Sequence, residues 1–231
     1  MLEAINLTKN YGKHEALSRL NLSVDKGEIF CLLGQNGAGK TTTINLFLGL
    51  IEPTSGEALV NGVPVKRNNG ATTKMIAYIP EVVQLYGNLS GIENLNFFSR
   101  LAGFRYTNAE LAAFLGKAGL QEAAHHLKLA SYSKGMRQKV GIAIALSKNA
   151  DYIFMDEPIS GLDPKATLEF TAVCKELSAA GKTIFMATHD IFNAVNVGTK
   201  IGIMKEGQLG YTANTNTINA NELQDLYLKT I

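Results

Sequence analysis

The order of apolar segments predicts an α/β core with an all-helical insertion, preceded by an antiparallel β portion. Three observations carry this expectation. Short strand-like runs alternate with helical patterns along most of the chain. Strand candidates disappear between about residues 90 and 147, where three helical stretches occur in succession. The earliest strand candidates follow one another with no helix between them.

In chain order, strands are expected over residues 3–8, 19–24 and 29–33, then 57–61, 75–79, 152–155, 183–187 and 200–204, with a short one near 208–211. The run EIFCLL (28–33) is short and continuously apolar, as a strand buried on both faces must be. Helical patterns cover 40–49, 165–180, 190–196 and 221–229; in the first, Ile44, Phe47 and Leu48 share one face. The chain therefore divides into an α/β core made of residues 1–89 and 148–231 and a helical subdomain over 90–147. No internal repeat, low-complexity tract or long linker interrupts it.

The totals suit one substantial core: 231 residues, 46% hydrophobic and 18% charged. A net charge of +2 is too slight to argue for nucleic acid or an anionic membrane surface. The two cysteines, Cys31 in an apolar strand and Cys174 in a helical stretch, read as buried thiols of a reducing cytoplasm, and their spacing holds no metal. Apolar runs such as VGIAIAL (140–146) fall far short of the ~20 residues of a spanning helix. The first residues lack the apolar centre of a signal peptide, so a soluble protein is expected.

Between the strand at 29–33 and the helix at 40–49 stands Gly34-Gln35-Asn36-Gly37-Ala38-Gly39-Lys40-Thr41-Thr42, which fits G-x-x-x-x-G-K-[ST] in its strand–loop–helix context. Such a loop exposes several backbone N–H groups at the positive end of a helix, where an anion sits. Glycines let it wrap a polyphosphate. Lys40 brings charge to the β- and γ-phosphates, and the Thr41 hydroxyl reaches a magnesium ion. A nucleoside triphosphate site is expected.

Its partners are sought at other strand ends. YIFMDEP (152–158) is an apolar strand closing on two carboxylates: Asp156 to hold magnesium, Glu157 to take a proton from the attacking water. KTIFMATHD (182–190) ends in His189, which could donate to a γ-phosphate from the crevice of an α/β sheet. In SYSKGMRQKVGIAIAL (131–146), serines precede a helix with Gly135 in its first turn, a second helix start suited to an anion.

Taken in order, the phosphate loop, YIPE, YSKGM, FMDEP, SGLD and ATHD resemble the ATP-binding subunit of an ABC transporter over nearly the whole chain. The resemblance implies a P-loop NTPase fold of the ABC ATPase kind, with ATP and Mg²⁺ as ligands. It implies that Tyr11 stacks on adenine, that residues 34–42 are the Walker A loop, and that Asp156 and Glu157 are the Walker B pair. Ser133, Lys134, Gly135 and Met136 fall on the signature motif, usually LSGGQ. Ser160, Gly161, Leu162 and Asp163 match the D-loop, and His189 the switch histidine. In this family two such domains face head to tail, each completing the other's ATP site, so a second ATP-binding subunit, identical or related, is implied.

Two departures stand out. The signature reads YSKGM, and Glu81 follows Tyr78-Ile79-Pro80 where the family usually has the glutamine that contacts the metal; both resemble export systems with a separate small permease. A carboxylate at Glu81 is also a hard oxygen ligand and so joins Thr41 and Asp156 as an expected metal contact. The segment 82–100 (VVQLYGNLSGIENLNFFSR) is more apolar than a free loop needs. By resemblance it receives the permease, which would hold the otherwise cytoplasmic chain at the inner face of the membrane; Leu95 and Phe98 read instead as core of the insertion. The expected function is the ATP-hydrolysing motor of a transporter, by resemblance an exporter, with no nucleic acid partner. The competing classes are a soluble ABC-type ATPase acting on a macromolecular complex, which usually carries tandem domains or long insertions, and a module that holds ATP without splitting it. An intact Lys40, Asp156, Glu157 and His189 argue against the last.

Overall fold

The computed structural model describes residues 1–67 and 70–230. A four-stranded antiparallel sheet combines β1 (Leu2–Tyr11), β2 (His14–Val24), β4 (Ser55–Val60) and β5 (Val63–Pro64) in the order β2-β1-β4-β5. A six-stranded sheet combines β3 (Ile29–Leu33), β6 (Ile76–Ile79), β7 (Tyr152–Asp156), β8 (Thr183–Thr188), β9 (Lys200–Lys205) and β10 (Gln208–Asn214). Its order is β10-β9-β3-β8-β7-β6, parallel except for the β10 edge. Between β6 and β7 lie α3 (Gly91–Leu101), α4 (Asn108–Lys117) and α5 (Lys134–Ser147). The remaining helices are α1 (Lys40–Phe47), α2 (Gly70–Met75), α6 (Pro164–Ala179), α7 (Ile191–Val197) and α8 (Ala220–Thr230).

Alternation along β3 divides the core in two. Phe30 and Leu32 face the small sheet and α1, where Phe30, Phe47, Phe154 and Phe185 stack with centroids 5.5–5.9 Å apart. Ile29, Cys31 and Leu33 face α5, α6, α7 and α8. Both cysteines are fully buried and free, and burial pushes the Cys31 thiol up to about 12. No helix among the described residues is long and apolar enough to cross a membrane.

Each expected strand and helix is present, with shifted ends. β2 begins at His14, not 19, and pairs Tyr11 with His14 across a hairpin. Left-handed backbone at Asn6 (φ 46°) and Arg19 (φ 44°), with register shifts between Ala4 and Leu7 and between Leu7 and Lys9, breaks the alternation from which strand length is read. The two-residue β5 and the six-residue α2, GATTKM, carry too little apolar periodicity to be seen in sequence. Helices α6 and α7 start on Asp163 and Asp190, whose carboxylates accept from Ala166 N–H and Asn193 N–H, at 2.8 and 3.0 Å.

Candidate nucleotide site

Parallel register brings the functional loops to one rim. Leu33 pairs with Thr188 and with Ile203, and Asp156 pairs with Ala187, so β3, β7 and β8 end level. The loop leaving β3, the carboxylates leaving β7 and the histidine leaving β8 therefore emerge at the carboxyl edge of the sheet, the place where α/β proteins bind ligands. Two glycines make the loop possible. A Cβ on Gly34 would stand 2.6 Å from the Met204 carbonyl oxygen, and one on Gly39 (φ 110°) 2.7 Å from that of Ala16.

Within the rim, Lys40 is buried and its Nζ donates to the carbonyls of Gly34 (2.7 Å) and Gln35 (3.2 Å), 3.6 Å from Glu157 Oε1. Thr41 Oγ1 donates to Asp156 Oδ2 at 2.8 Å. Burial raises the Asp156 carboxyl above its ordinary value; the Thr41 hydrogen bond opposes the rise, and the charge of Glu157 adds to it. Glu157 sits in left-handed backbone (φ 44°), its N–H donating to Ala187 O at 2.9 Å. Its Oε2 accepts from His189 N–H (3.3 Å) and His189 Nδ1 (2.9 Å), while Oε1 is buried with no hydrogen-bond partner. One oxygen is thus held by His189, and the other is buried beside the Lys40 ammonium with no hydrogen bond.

Lys40, Thr41, Asp156 and Glu157 line a cleft of about 330 Å³ together with Gln35, Asn36, Gly37, Gly39, Thr42, Glu81, Tyr11, His14 and Ala16, whereas His189 lies outside it on a neighbouring cleft. Tyr11 is 48% exposed at one end, with Lys9 Nζ 5.1 Å from its ring centre. Glu81 is on the cleft wall, and its charge is felt at Asp156. Ala38 is buried behind the loop, its carbonyl accepting from Gly207 N–H at 2.9 Å.

None of Ser133, Lys134, Gly135 or Met136 lines that cleft. Ser133 caps α5, its hydroxyl accepting from Met136 N–H at 3.3 Å, beside a separate cavity shared with Asp163 and Ala166. The helix start leans on the 160–163 turn: a Cβ on Gly135 would meet Ala166 Cβ at 3.3 Å, and one on Gly161 would meet Lys134 Nζ at 3.7 Å. Ser160, Gly161 and Leu162 line a further cleft with Glu157 and His189. Tyr132, where the resemblance expects leucine, is buried and donates through its hydroxyl to Ala124 O, filling space that exists because residue 91 is glycine. A Cβ on Gly91 would stand 2.5 Å from Tyr132 Oη.

Sequence reasoning missed His14 and Ala16, which reach the cleft through the unforeseen half of β2, and Gln138, which is 1% exposed with its Nε2 donating to Glu81 O at 3.1 Å. The hairpin signal Y-G-K-H could have revealed the first two. Nothing in sequence marks the third, whose partner lies 57 residues away.

The sequence profile of the ABC transporter family matches residues 17–160, more than half of the chain. "Probable multidrug ABC transporter ATP-binding protein YbhF" of Escherichia coli is 34% identical over 227 residues, 97% of this chain but 39% of its own length. "Bacitracin transport ATP-binding protein BcrA" of Enterococcus faecalis is 35% identical over 95% of this chain and 71% of its own. Among solved structures, the dimeric post-hydrolysis state of the ATP-binding cassette MJ0796, bound to ADP and phosphate, superimposes with a TM-score of 0.82 at 28% identity, covering 93% of this chain and 99% of that one. A phosphate loop, a threonine–aspartate pair and a held glutamate on one rim agree with that likeness, and the chain belongs to the ABC transporter family as an ATP-binding subunit.

Proposed function

We propose that this chain is the ATP-hydrolysing motor of an exporter, binding MgATP between two ATP-binding subunits and acting through a separate membrane permease. The observation that carries the chemistry is the Glu157 carboxylate at the end of β7, lining the cleft with Oε2 held by His189 and Oε1 buried 3.6 Å from the Lys40 ammonium. A water in that cleft passes its proton to the Glu157 carboxylate as its oxygen attacks the γ-phosphorus; the bond to the leaving diphosphate breaks, and ADP and phosphate result. Backbone N–H groups of residues 37–41 and the Lys40 ammonium hold the phosphates. Tyr11, His14 and Ala16 offer the base a flat wall.

The donor set fits Mg²⁺. Thr41 Oγ1 and Asp156 Oδ2 are adjacent hard oxygens and Glu81 lines the same cleft; phosphate oxygens and water would supply the rest of the shell. Bound there, Mg²⁺ would neutralise charge developing on the phosphates.

Export, the second subunit and the permease rest on other support. The relatives are named for multidrug and bacitracin transport, and the MJ0796 cassette is dimeric. Ser133–Met136 stand away from the chain's own phosphate cleft, as a motif serving a partner's site would. Val82, Tyr86 and Phe97 are 61%, 49% and 37% exposed, and Tyr86, Phe97 and Phe98 form one aromatic cluster with centroids 5.1–6.2 Å apart, an apolar patch suited to a permease helix. Through that permease the chain sits on the inner membrane face. Glu157→Gln keeps shape and removes the base, so steady-state hydrolysis should fall ~10²–10⁴-fold with ATP affinity unchanged. Lys40→Ala should instead weaken a titration with labelled ATP. Turnover of Glu157→Gln within a few-fold of the parent would refute the assignment.

A further inference from the structure

Gln138 lies on the second turn of α5, the helix that Ser133 caps. Its amide is buried, with Nε2 on the Glu81 carbonyl at 3.1 Å and Oε1 buried without a partner. One turn further, Gly141 leaves a notch. A Cβ there would stand 3.3 Å from Val83 Cγ2 and 3.7 Å from Ile79 Cγ2. Residues three apart share a helix face, so Gln138 and Gly141 form one seat: a donor that grips the 79–83 segment and a hollow that receives it. Among the described residues, no other hydrogen bond joins α5 to residues 80–84. The amide does two opposed things: its own Oε1 is left unpaired, and its Nε2 serves the Glu81 carbonyl, a donor that an apolar side chain of the same size would not supply.

We propose that Gln138 is a positioning residue for the nucleotide cleft. It fixes the backbone of Glu81 to α5, and with it the reach of the Glu81 carboxylate into the cleft. Since α5 begins at Ser133, a shift of that helix start is passed to the cleft through this bond. The link to catalysis rests on the ATP-site reading above; the bond itself does not.

The test separates the two. Cys31 and Cys174 are fully buried, so Val82→Cys, at a 61% exposed position, gives one accessible thiol for a nitroxide label on the nucleotide-free chain. Glu at 138 is isosteric with Gln. Ionised, it has no proton for the Glu81 carbonyl; protonated, it donates as the amide did, and burial raises such a carboxyl above its ordinary value. In Gln138→Met, the mobile fraction of the label should at least double at every pH. In Gln138→Glu it should match the parent near about pH 5 and approach the Met variant near about pH 8, while the parent stays flat. Hydrolysis per folded molecule should follow, falling about fivefold where the donor is lost, the worth of one net hydrogen bond, with ATP affinity within about twofold. Label mobility in Gln138→Glu that is independent of pH overturns the proposal, even where Gln138→Met fails to fold. If mobility responds but hydrolysis does not, the gripping role holds and the catalytic link fails. A parent chain that hydrolyses no ATP instead refutes the reading under "Proposed function".

Discussion

Glu157 holds a backbone conformation that side chains other than glycine, asparagine and aspartate rarely adopt, a strain of order 1–3 kcal/mol fixed by its N–H bond to Ala187. From that backbone the side chain sets Oε2 against His189 and Oε1 beside Lys40. Its neighbour Asp156 carries an electrostatic tension. Folded, Asp156 keeps its proton to higher pH than the ordinary 3.8, chiefly because it is buried. The folded state therefore binds more protons than the unfolded chain in the window above that value, and stability falls as pH rises through it. Asp156→Asn should flatten this decline and raise the melting temperature of the nucleotide-free protein at neutral pH, by about 2–4 °C for each kcal/mol relieved. Calorimetry in the absence of divalent cations checks this; a lower melting temperature for the variant would contradict it. Lys40, Thr41, Asp156 and Glu157 were legible in sequence because each stands in a short motif at the end of an apolar strand. Gln138 was not, since one polar residue in a helix says nothing about a carbonyl that only folding brings to it.

At the scale of elements, the buried parallel strands were read nearly to the residue, because strands covered on both faces are continuous apolar runs. The small sheet was read short, because its bulges at Asn6 and Arg19 interrupt the period-2 pattern. In the helical insertion, capping boxes at Ser90/Glu93 and Thr107/Glu110 fix where α3 and α4 start. The start of α3 also sets which of its apolar residues face outward. Leu95 is fully buried, as the sequence suggested, and Phe97 is exposed beside Tyr86. If this face receives the permease, cysteines at 84–88 should crosslink to a membrane protein in native membranes. Capture by cysteines on the exposed face of α6, such as at Leu168, with none from 84–88, would move the docking face elsewhere.

For the whole molecule, the phosphate cleft and the start of α5 are separate concavities of one chain, and under the proposed function each is half of what an ATP-sandwiching pair needs. ATP should therefore convert the Glu157→Gln protein from monomer to dimer in sedimentation, and Ser133→Arg, placing bulk and charge at the α5 start, should keep it monomeric. A Glu157→Gln protein that stays monomeric with ATP would exclude a homodimer and direct the search to a related partner chain.

The fit of Tyr132 over Gly91 also gives this sequence a direction of drift. While tyrosine stands at 132, even the methyl of alanine at 91 is closed off, because it would lie 2.5 Å from the phenol oxygen. A change of Tyr132 to leucine, the residue the family usually places there, empties that space and releases position 91. In lineages descending from such a chain, side chains at 91 should more often follow the loss of the tyrosine than precede it, since otherwise the phenol must move off its Ala124 carbonyl.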